Sequence, residues 1–524
     1  MSTGKTTYLI NKVNDELVAG IKPYEIAYTS FTRSAAYEAR DRAIAKFTDY
    51  SRDDFPYFST VHSICYRLIG LKKEQVFSGQ QVRNFCKYYG YELSQPNSIP
   101  DESSETDVPE MVLQTDADYY EHFIGWQRNT MLGFETAYNK FVQQPGIPDT
   151  FSMEGSKLYT ARRNDYKEEN GLFDFTDMID VCAREHLAPD GIHVMINDEH
   201  QDVSPLLAKL LDVWQENVQR VYRAGDPYQA VYTFMGADPS IFIDSPSDET
   251  VVLKQSYRCP KAVHDLSRTI VQRFNVRYKN DDFIPNDTKG YVFRNIADGI
   301  DWKDLTGKTF YLHRTHWLLS QAYNILIRDG VPFSTMRGKQ SPMQSSTAKV
   351  ISMIYRLSRF ETLTISEIGK LMENMPTKTS RHIFLRVGAK TECKQLIRKD
   401  SKHPVTVRDL PSLGFTTDFM TFLGGNLLEP LKMDADEKSY FRTVIERHGI
   451  KALEKEPDVV LSTIHGVKGK ECDNVILNLQ LTRRTYQAYL DDHNQEERLF
   501  YVGITRSKKT VTLLEPKDSV AFDL

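Results

Sequence analysis

Cysteine is scarce in this chain. Six occur in 524 residues, at Cys65, Cys86, Cys182, Cys259, Cys393 and Cys472, and no two form a C-x-x-C pair. That spacing excludes the common zinc and iron–sulfur frameworks and fits reduced thiols in a cytosol. Long apolar runs are missing too. Nothing approaches the roughly 20 residues of a membrane span, and the N-terminus has no apolar signal core. The expectation is a cytoplasmic protein, bacterial or encoded by a phage, with no membrane partner. Neither sign of charge dominates: 66 Lys and Arg stand against 71 Asp and Glu, for a net charge of -5. Any contact with nucleic acid must therefore come from a local basic groove. No repeat at a solenoid period is visible.

What is present is alternation. At this length two to four domains are expected. Tyr8, Leu9, Val13, Leu17 and Val18 fall at helical spacing over residues 5–19, with Gly20 as a stop signal. Ile26-Ala27-Tyr28 reads as a short strand and Ser34–Phe47 as a second helix. Strand-like runs return at His193–Asn197 and Gln219–Gly225. A second alternating unit begins near Val251-Val252-Leu253 and includes Thr309–His313, Val459–Ile464 and Asn474–Leu479. Such alternation implies an α/β fold with parallel sheets and crossover helices. Two mainly helical stretches interrupt it, at about 67–170 and 341–455. The first contains an acidic stretch, Pro100–Glu121, expected to be an exposed loop. Within the second, Thr377–Arg408 is rich in Lys and Arg and reads as a surface facing nucleic acid, the plainer alternative being a solvated helix face.

Several short blocks carry chemistry. Gly4-Lys5-Thr6-Thr7 looks like the end of a phosphate-binding loop that opens a helix. Backbone amides there favour phosphate, Lys5 would reach the β and γ oxygens, and the Thr6 hydroxyl would bind Mg²⁺. The first glycine of the full pattern and its leading strand would fall before Met1. Because every later block is intact, a late start of the chain is favoured over a crippled pocket. Asp198 and Glu199 follow the apolar strand Val194-Met195-Ile196, so Asp198 could hold Mg²⁺ while Glu199 deprotonates the attacking water. Gln229, in Gly225-Asp226-x-x-Gln229, suits a γ-phosphate or the lytic water. Tyr232 and Phe234 stand two apart on an expected extended segment, so their rings would share a face and could stack on bases. Arg258 and Arg506 are candidates for stabilising charge on a transferring phosphoryl group.

Taken in order, these blocks resemble the UvrD/Rep/PcrA family of superfamily-one DNA helicases. Ser2–Thr7 is like motif I without its beginning, Tyr28–Ala36 is similar to motif Ia, and Ser59–Ser63 to motif Ib. Asp174-Phe175-Thr176-Asp177-Met178 looks like the element that ends the first insertion. Asp198–Asp202, Gly225–Ala237, Gln255–Arg258, Leu312–Thr315, Val460–Glu471 and Glu496–Arg506 resemble the later motifs. The resemblance implies two RecA-like motor domains, each interrupted by a mainly helical insertion. The first motor would be 1–66 with 171–250, its insertion 67–170; the second 251–340 with 456–524, its shortened insertion 341–455. It implies ATP and Mg²⁺ as ligands, with Gly4, Lys5, Thr6 and Thr7 on phosphate, Thr6 and Asp198 on the metal, and Glu199, Gln229, Arg258 and Arg506 in catalysis. Tyr257 would stack on adenine and Glu471 would contact ribose. Phe31, Thr60, His62, Tyr232, Phe234 and His465 would line a single-strand track. Phe234 and Met235 depart from the family's usual Trp and Arg. The implied activity is ATP-dependent translocation on single-stranded DNA and unwinding with 3′→5′ polarity. Single strands and duplex junctions would be the partners, and the state a monomer or a weakly self-associating one. The shortened phosphate loop supports a second reading, a non-catalytic single-strand DNA-binding or loading protein with a degenerate nucleotide site. An RNA-directed motor is a third, because nothing in the sequence reads the 2′-hydroxyl.

Overall fold

The computed structural model describes residues 3–31, 33–94, 115–144, 147–274, 283–296, 300, 302, 306–336, 339–517 and 520–524. The chain forms two compact units, Met1–Ala297 with Ile464–Leu524, and Asp298–Thr463. The division does not follow the expected motor boundaries: 251–297 and 464–524 belong to the first unit, while Thr309–His313 and Val459–Thr463 belong to the second.

In the first unit, β1 (Ile26–Thr29), β2 (Phe58–Ser59), β3 (Val194–Asn197) and β4 (Arg220–Arg223) form a parallel sheet in the order β2-β1-β3-β4. Successive side chains leave a strand on opposite faces, and here both faces are covered. Ile26, Tyr28, Val194 and Ile196 point to one side, where they pack with Leu9, Ile10 and Val13 of helix α1 (Lys5–Val18) and with Ala39 and Ala43 of helix α2 (Arg33–Lys46). Ala27 and Met195 point to the other, against Val61, Ile64 and Cys65 of helix α3 (Val61–Ile69), and against Met178, Cys182, Leu210 and Trp214. The continuous apolar character of β1 and β3 follows from this double coverage. The same unit holds a second parallel set, in which Ser507–Glu515 pairs with Tyr291–Ile296 on one side and Cys472–Asn478 on the other.

The first helical interruption is borne out. Gln80–Tyr89, Asp116–Thr130, Phe134–Phe141 and Met153–Asn170 are helices, and they share an aromatic cluster of their own around Phe85, Phe123, Phe141, Phe151 and Tyr159. Most of the acidic Pro100–Glu121 stretch lies outside the described residues. Its end, from Asp116, is helical rather than loop, because Thr115 caps that helix through its hydroxyl and Asp118 returns a bond to the Thr115 N–H. Val251-Val252-Leu253 forms no strand; the first strand there is Gln255–Pro260.

In the second unit Val459–Thr463 pairs in parallel with Thr309–His313 and with Phe333–Thr335. The expected helical stretch contains Ser346–Ser358, Ile365–Glu373, Ala389–Lys399, Thr417–Leu423 and Ala435–His448. Only Ala389–Lys399 of the basic stretch is helical; Lys378, Arg381, Arg386 and Arg408 stand exposed on irregular or single-turn backbone around it. Among the described residues no helix is long and apolar enough to cross a membrane.

Trp214 anchors one face of the first sheet. Its ring is fully buried and its indole N–H donates to the Leu187 carbonyl at 2.9 Å. Trp214→Ala should lower stability by about 3–5 kcal/mol, read as a reduced urea midpoint with little change in slope.

Candidate active site

The catalytic candidates gather at the C-terminal ends of β3 and β4 and at the start of α1. Gly4 caps α1 in the left-handed region, φ 78°, where a side chain would be strained. A Cβ there would also lie 3.2 Å from the Tyr257 ring, which is itself 72% exposed. The ring expected on adenine therefore flanks the first turn of the phosphate helix. Lys5 follows, and its Nζ donates to Glu199 Oε1 at 3.0 Å. Thr6 is half-buried in the same turn and Thr7 is exposed.

Asp198 ends β3. Its Oδ2 accepts the Tyr28 hydroxyl at 3.1 Å and its Oδ1 accepts the Glu199 N–H at 2.9 Å. Glu199 then turns into the left-handed region, φ 56°, a conformation non-glycine residues rarely hold without support. The support is local: His200 N–H donates to Ala224 O at 2.9 Å, and Asp202 N–H to Glu199 O at 3.1 Å. This turn directs Asp198 and Glu199 to the same end of the sheet.

The electrostatics follow from crowding. Removal from water, then the adjacent Glu199 charge, push the Asp198 carboxyl up to about 6, against the pull of Lys5. Burial opposes ionisation of Glu199 as well, yet Lys5, Lys468 and the Gln201 amide hold it well below the usual carboxylate range. Burial would lower Lys5, but Glu199, Asp198 and Asp226 together keep its ammonium protonated well above its ordinary value. Burial raises Asp202 to about 6 despite its ion pair with Lys468.

The later motifs meet this cluster. Gln229 donates to Asp226 Oδ2 at 2.6 Å and accepts from Arg506 Nη2 at 2.8 Å. Arg506 is only 2% exposed. Burial, then the neighbouring Arg258 charge, bring it down to about 10, so it remains a cation at neutral pH. Arg258 Nε donates to Glu471 Oε2 at 2.9 Å, and Lys508 pairs with the other Glu471 oxygen. The residue expected on ribose is thus held by two cations, which with partial burial as the opposing influence keep it below the usual carboxylate range.

The aromatic candidates form a neighbouring group, with corrections. Tyr232 and Phe234 do not lie on an extended segment. Thr233–Met235 is a single 3-10 turn, and the two rings meet edge to face, centroids 6.2 Å apart at 64°. The expected shared face is absent because the turn rotates one ring against the other. Tyr232 is buried, stacked on Phe31 at 4.9 Å and 13°. Phe234 is half-buried beside His465, 5.5 Å, and His122, 6.3 Å. Thr60 caps α3, its Oγ1 accepting the Ser63 N–H at 3.3 Å. His62 meets Phe175 edge-on, and removal from water with the Arg33 charge lowers it to about 4, leaving a neutral ring. Within motif Ia, Thr32 lies outside the described residues, as does Ser2 of motif I.

Four residues had no role assigned from sequence. Lys468 pairs with Asp202 and sits 4.3 Å over the Tyr232 ring, so it joins the carboxylate cluster to the aromatic group. Gln201, fully buried, donates to Glu199 at 2.7 Å and to Asp202 at 2.8 Å, and accepts the Asp226 N–H at 2.9 Å. Gly225 must stay small, since a Cβ there would come 2.6 Å from the Gln201 oxygen. Asn129 of the first helical interruption braces the aromatic loop by donating to Met235 O at 3.0 Å. Gln201 and Lys468 lie inside blocks legible in sequence, as do Glu199, Asp202, Asp226 and Tyr232, but no local pattern says which of them meet. Among the described residues no group of three or more His, Cys, Asp or Glu could hold a metal ion.

A lysine in the first turn of a helix, facing an Asp-Glu pair at the end of a parallel strand, is the working geometry of a P-loop nucleoside triphosphatase, and the protein is an enzyme of that class. Comparison with known families specifies it. The UvrD/REP helicase N-terminal domain matches residues 2–249 and the UvrD-like helicase C-terminal domain matches residues 430–515. The chain belongs to the UvrD-like helicases. It is 23% identical to the putative ATP-dependent DNA helicase YjcD of Bacillus subtilis, over 95% of this chain and 73% of that protein. It is 24% identical to the ATP-dependent DNA helicase PcrA of Leuconostoc citreum, over 98% of this chain and 78% of that one. A probable DNA helicase II homolog of Mycoplasma pneumoniae is 23% identical, over 98% and 80% respectively.

The raised Asp198 carboxyl has a stability consequence. In the unfolded chain it would release its proton near its ordinary value, 3.8, while in the folded chain it keeps it until about 6. Its contribution to folding therefore weakens as pH rises through that window. Asp198→Asn should be more stable than the parent at pH 7, with a smaller gain at pH 4.5, compared by urea unfolding.

Proposed function

We propose that the protein is an ATP-dependent single-strand DNA translocase and helicase with 3′→5′ polarity. The observation that carries the reading is the Arg506–Gln229–Asp226 chain beside the Lys5–Glu199 pair. A group able to stabilise developing phosphoryl charge, a group able to sense it and a general base stand in one cluster.

Lys5 shares its charge with Glu199 until phosphate competes for the ammonium. As Lys5 turns to the β and γ oxygens, Glu199 loses the partner that most depresses its basicity and becomes a better acceptor for the proton of the attacking water. Gln229 positions that water or the γ-phosphate, and Arg506 and Arg258 take up the charge that spreads over the equatorial oxygens. Tyr257, exposed beside Gly4, stacks on the base, and Glu471 contacts the ribose. Asp198 suits Mg²⁺: it is crowded by Glu199 and has one oxygen on the Tyr28 hydroxyl and the other on a backbone N–H. Asp198 and the Thr6 hydroxyl would hold the ion, which when bound offsets phosphate charge; one carboxylate with substrate oxygens and water is a usual magnesium set.

Phe31, Tyr232, Phe234 and His465 form the base-stacking part of the track, with Thr60 and His62 at its side. Lys468 would transmit a change at Tyr232 to Asp202 and, through Gln201, to Glu199. Translocation needs a different grip on the strand in nucleotide-bound and nucleotide-free forms. The motor boundaries assigned from sequence, action in the cytoplasm, engagement of duplex junctions and a monomeric or weakly associating state complete the proposal.

Glu199→Gln should keep ATP binding and lose hydrolysis, while Lys5→Ala should lose both. A purified chain with no DNA-stimulated turnover, indifferent to Lys5→Ala, would be a loading protein instead. Phe234→Ala should weaken single-strand binding by roughly 1–3 kcal/mol; unchanged affinity with a lower melting temperature would mark it as a packing residue. Duplexes with a 3′ single-strand tail should be unwound and those with a 5′ tail left intact; the opposite preference overturns the polarity.

A further inference from the structure

We propose that Tyr501 is a positioning residue of the ATPase cycle: when the Gln229 amide leaves Asp226 for the γ-phosphate, the buried Tyr501 hydroxyl takes its place on the Asp226 carboxylate. The inference rests on the phosphate role given to Gln229 and adds the group that makes the exchange possible. All three residues belong to the first unit.

Gln229 is committed at both ends. Its amide oxygen accepts from Arg506 Nη2 at 2.8 Å, and its amide nitrogen donates to Asp226 Oδ2 at 2.6 Å. Only the nitrogen carries protons, so only that end can bond a phosphate oxygen. Reaching the phosphate therefore means giving up Asp226. Asp226 is buried, with its other oxygen on the Tyr228 N–H at 3.1 Å. It also interacts with the Lys5 ammonium, which turns to phosphate in the same step. A triphosphate thus draws two partners from one buried carboxylate. Such a group is strongly destabilised unless another donor replaces them.

Tyr501 is placed to be that donor. It lies in the helix His493–Ile504, which packs on the single turn Pro227–Gln229 that Asp226 caps. Its ring is wholly buried and meets Tyr228, centroids 6.0 Å apart at 57°. The hydroxyl has no hydrogen-bond partner among the described residues. Burial, then the Asp226 charge, hold its proton well above the usual phenol range, so it stays a donor. Of the charges acting on it, that of Asp226 is the strongest. A buried hydroxyl without a partner lowers stability, and such groups call for a reason. Phenylalanine would fill the same space without that penalty. Use of the hydroxyl in the triphosphate-bound form supplies the reason. ADP has no γ-phosphate to draw Gln229 away, so the exchange belongs to the triphosphate alone.

The test compares the full chain with its Tyr501→Phe variant, reading the affinities of ADP and of a non-hydrolysable ATP analogue together with the nucleotide-free thermal midpoint. Tyr501→Phe should bind the analogue about tenfold more weakly, bind ADP as the parent does, and melt no lower than the parent. Gln229→Met removes the amide that makes the exchange, so adding Tyr501→Phe to it should leave the preference between analogue and ADP unchanged. An unchanged analogue affinity, an equal loss for ADP, or a lower midpoint for nucleotide-free Tyr501→Phe overturns the exchange and leaves the ATPase reading in place. So does a tenfold shift in preference that persists in the Gln229→Met background. A parent that binds neither nucleotide removes both.

Discussion

Four carboxylates, Asp198, Glu199, Asp202 and Asp226, crowd the ends of two adjacent strands, and they can coexist only because cations are threaded among them. Water cannot screen charges drawn this far from it, so each unpaired anion would either take a proton or cost several kcal/mol. Lys5 and Lys468 resolve the conflict from opposite ends of the sequence. The Lys468 pair with Asp202 spans 266 residues, and the Arg506 bond to Gln229 spans 277. Closing such long loops carries an entropic cost, which a shared ionic centre helps to offset within the first unit. The site is therefore also a fastening of the fold.

Much of this was legible in the sequence, for a physical reason. Apolar runs such as Val194–Asn197 and Thr309–His313 are read from residue type alone, because a strand covered on both faces has no alternation to obscure it. The order of the short blocks led to the helicase family that the comparisons confirm. What escaped was long-range or orientational. No local pattern tells that Lys468 reaches Asp202, or that Arg506 rests on Gln229. The Tyr232–Phe234 spacing fits a strand or a single turn equally, and the turn is observed. Thr60 shows a related ambiguity: a threonine before an apolar helical run is the signature of a cap, and the cap is what it forms.

The helical interruption of the first unit also reaches the site. It has an aromatic cluster of its own, and Asn129 and His122 meet the loop that carries Phe234. A segment outside the parallel sheet thereby sets the position of a ring proposed to touch the substrate. Loops built on rigid scaffolds are where proteins commonly place such contacts.

The six cysteines return with a different meaning. All are free thiols and all are buried. A maleimide dye should find little to react with on the native surface, so one cysteine introduced at an exposed position in each unit would carry the label almost alone. Distances between two such dyes could then be followed through a catalytic cycle without first rebuilding the thiol content of the core.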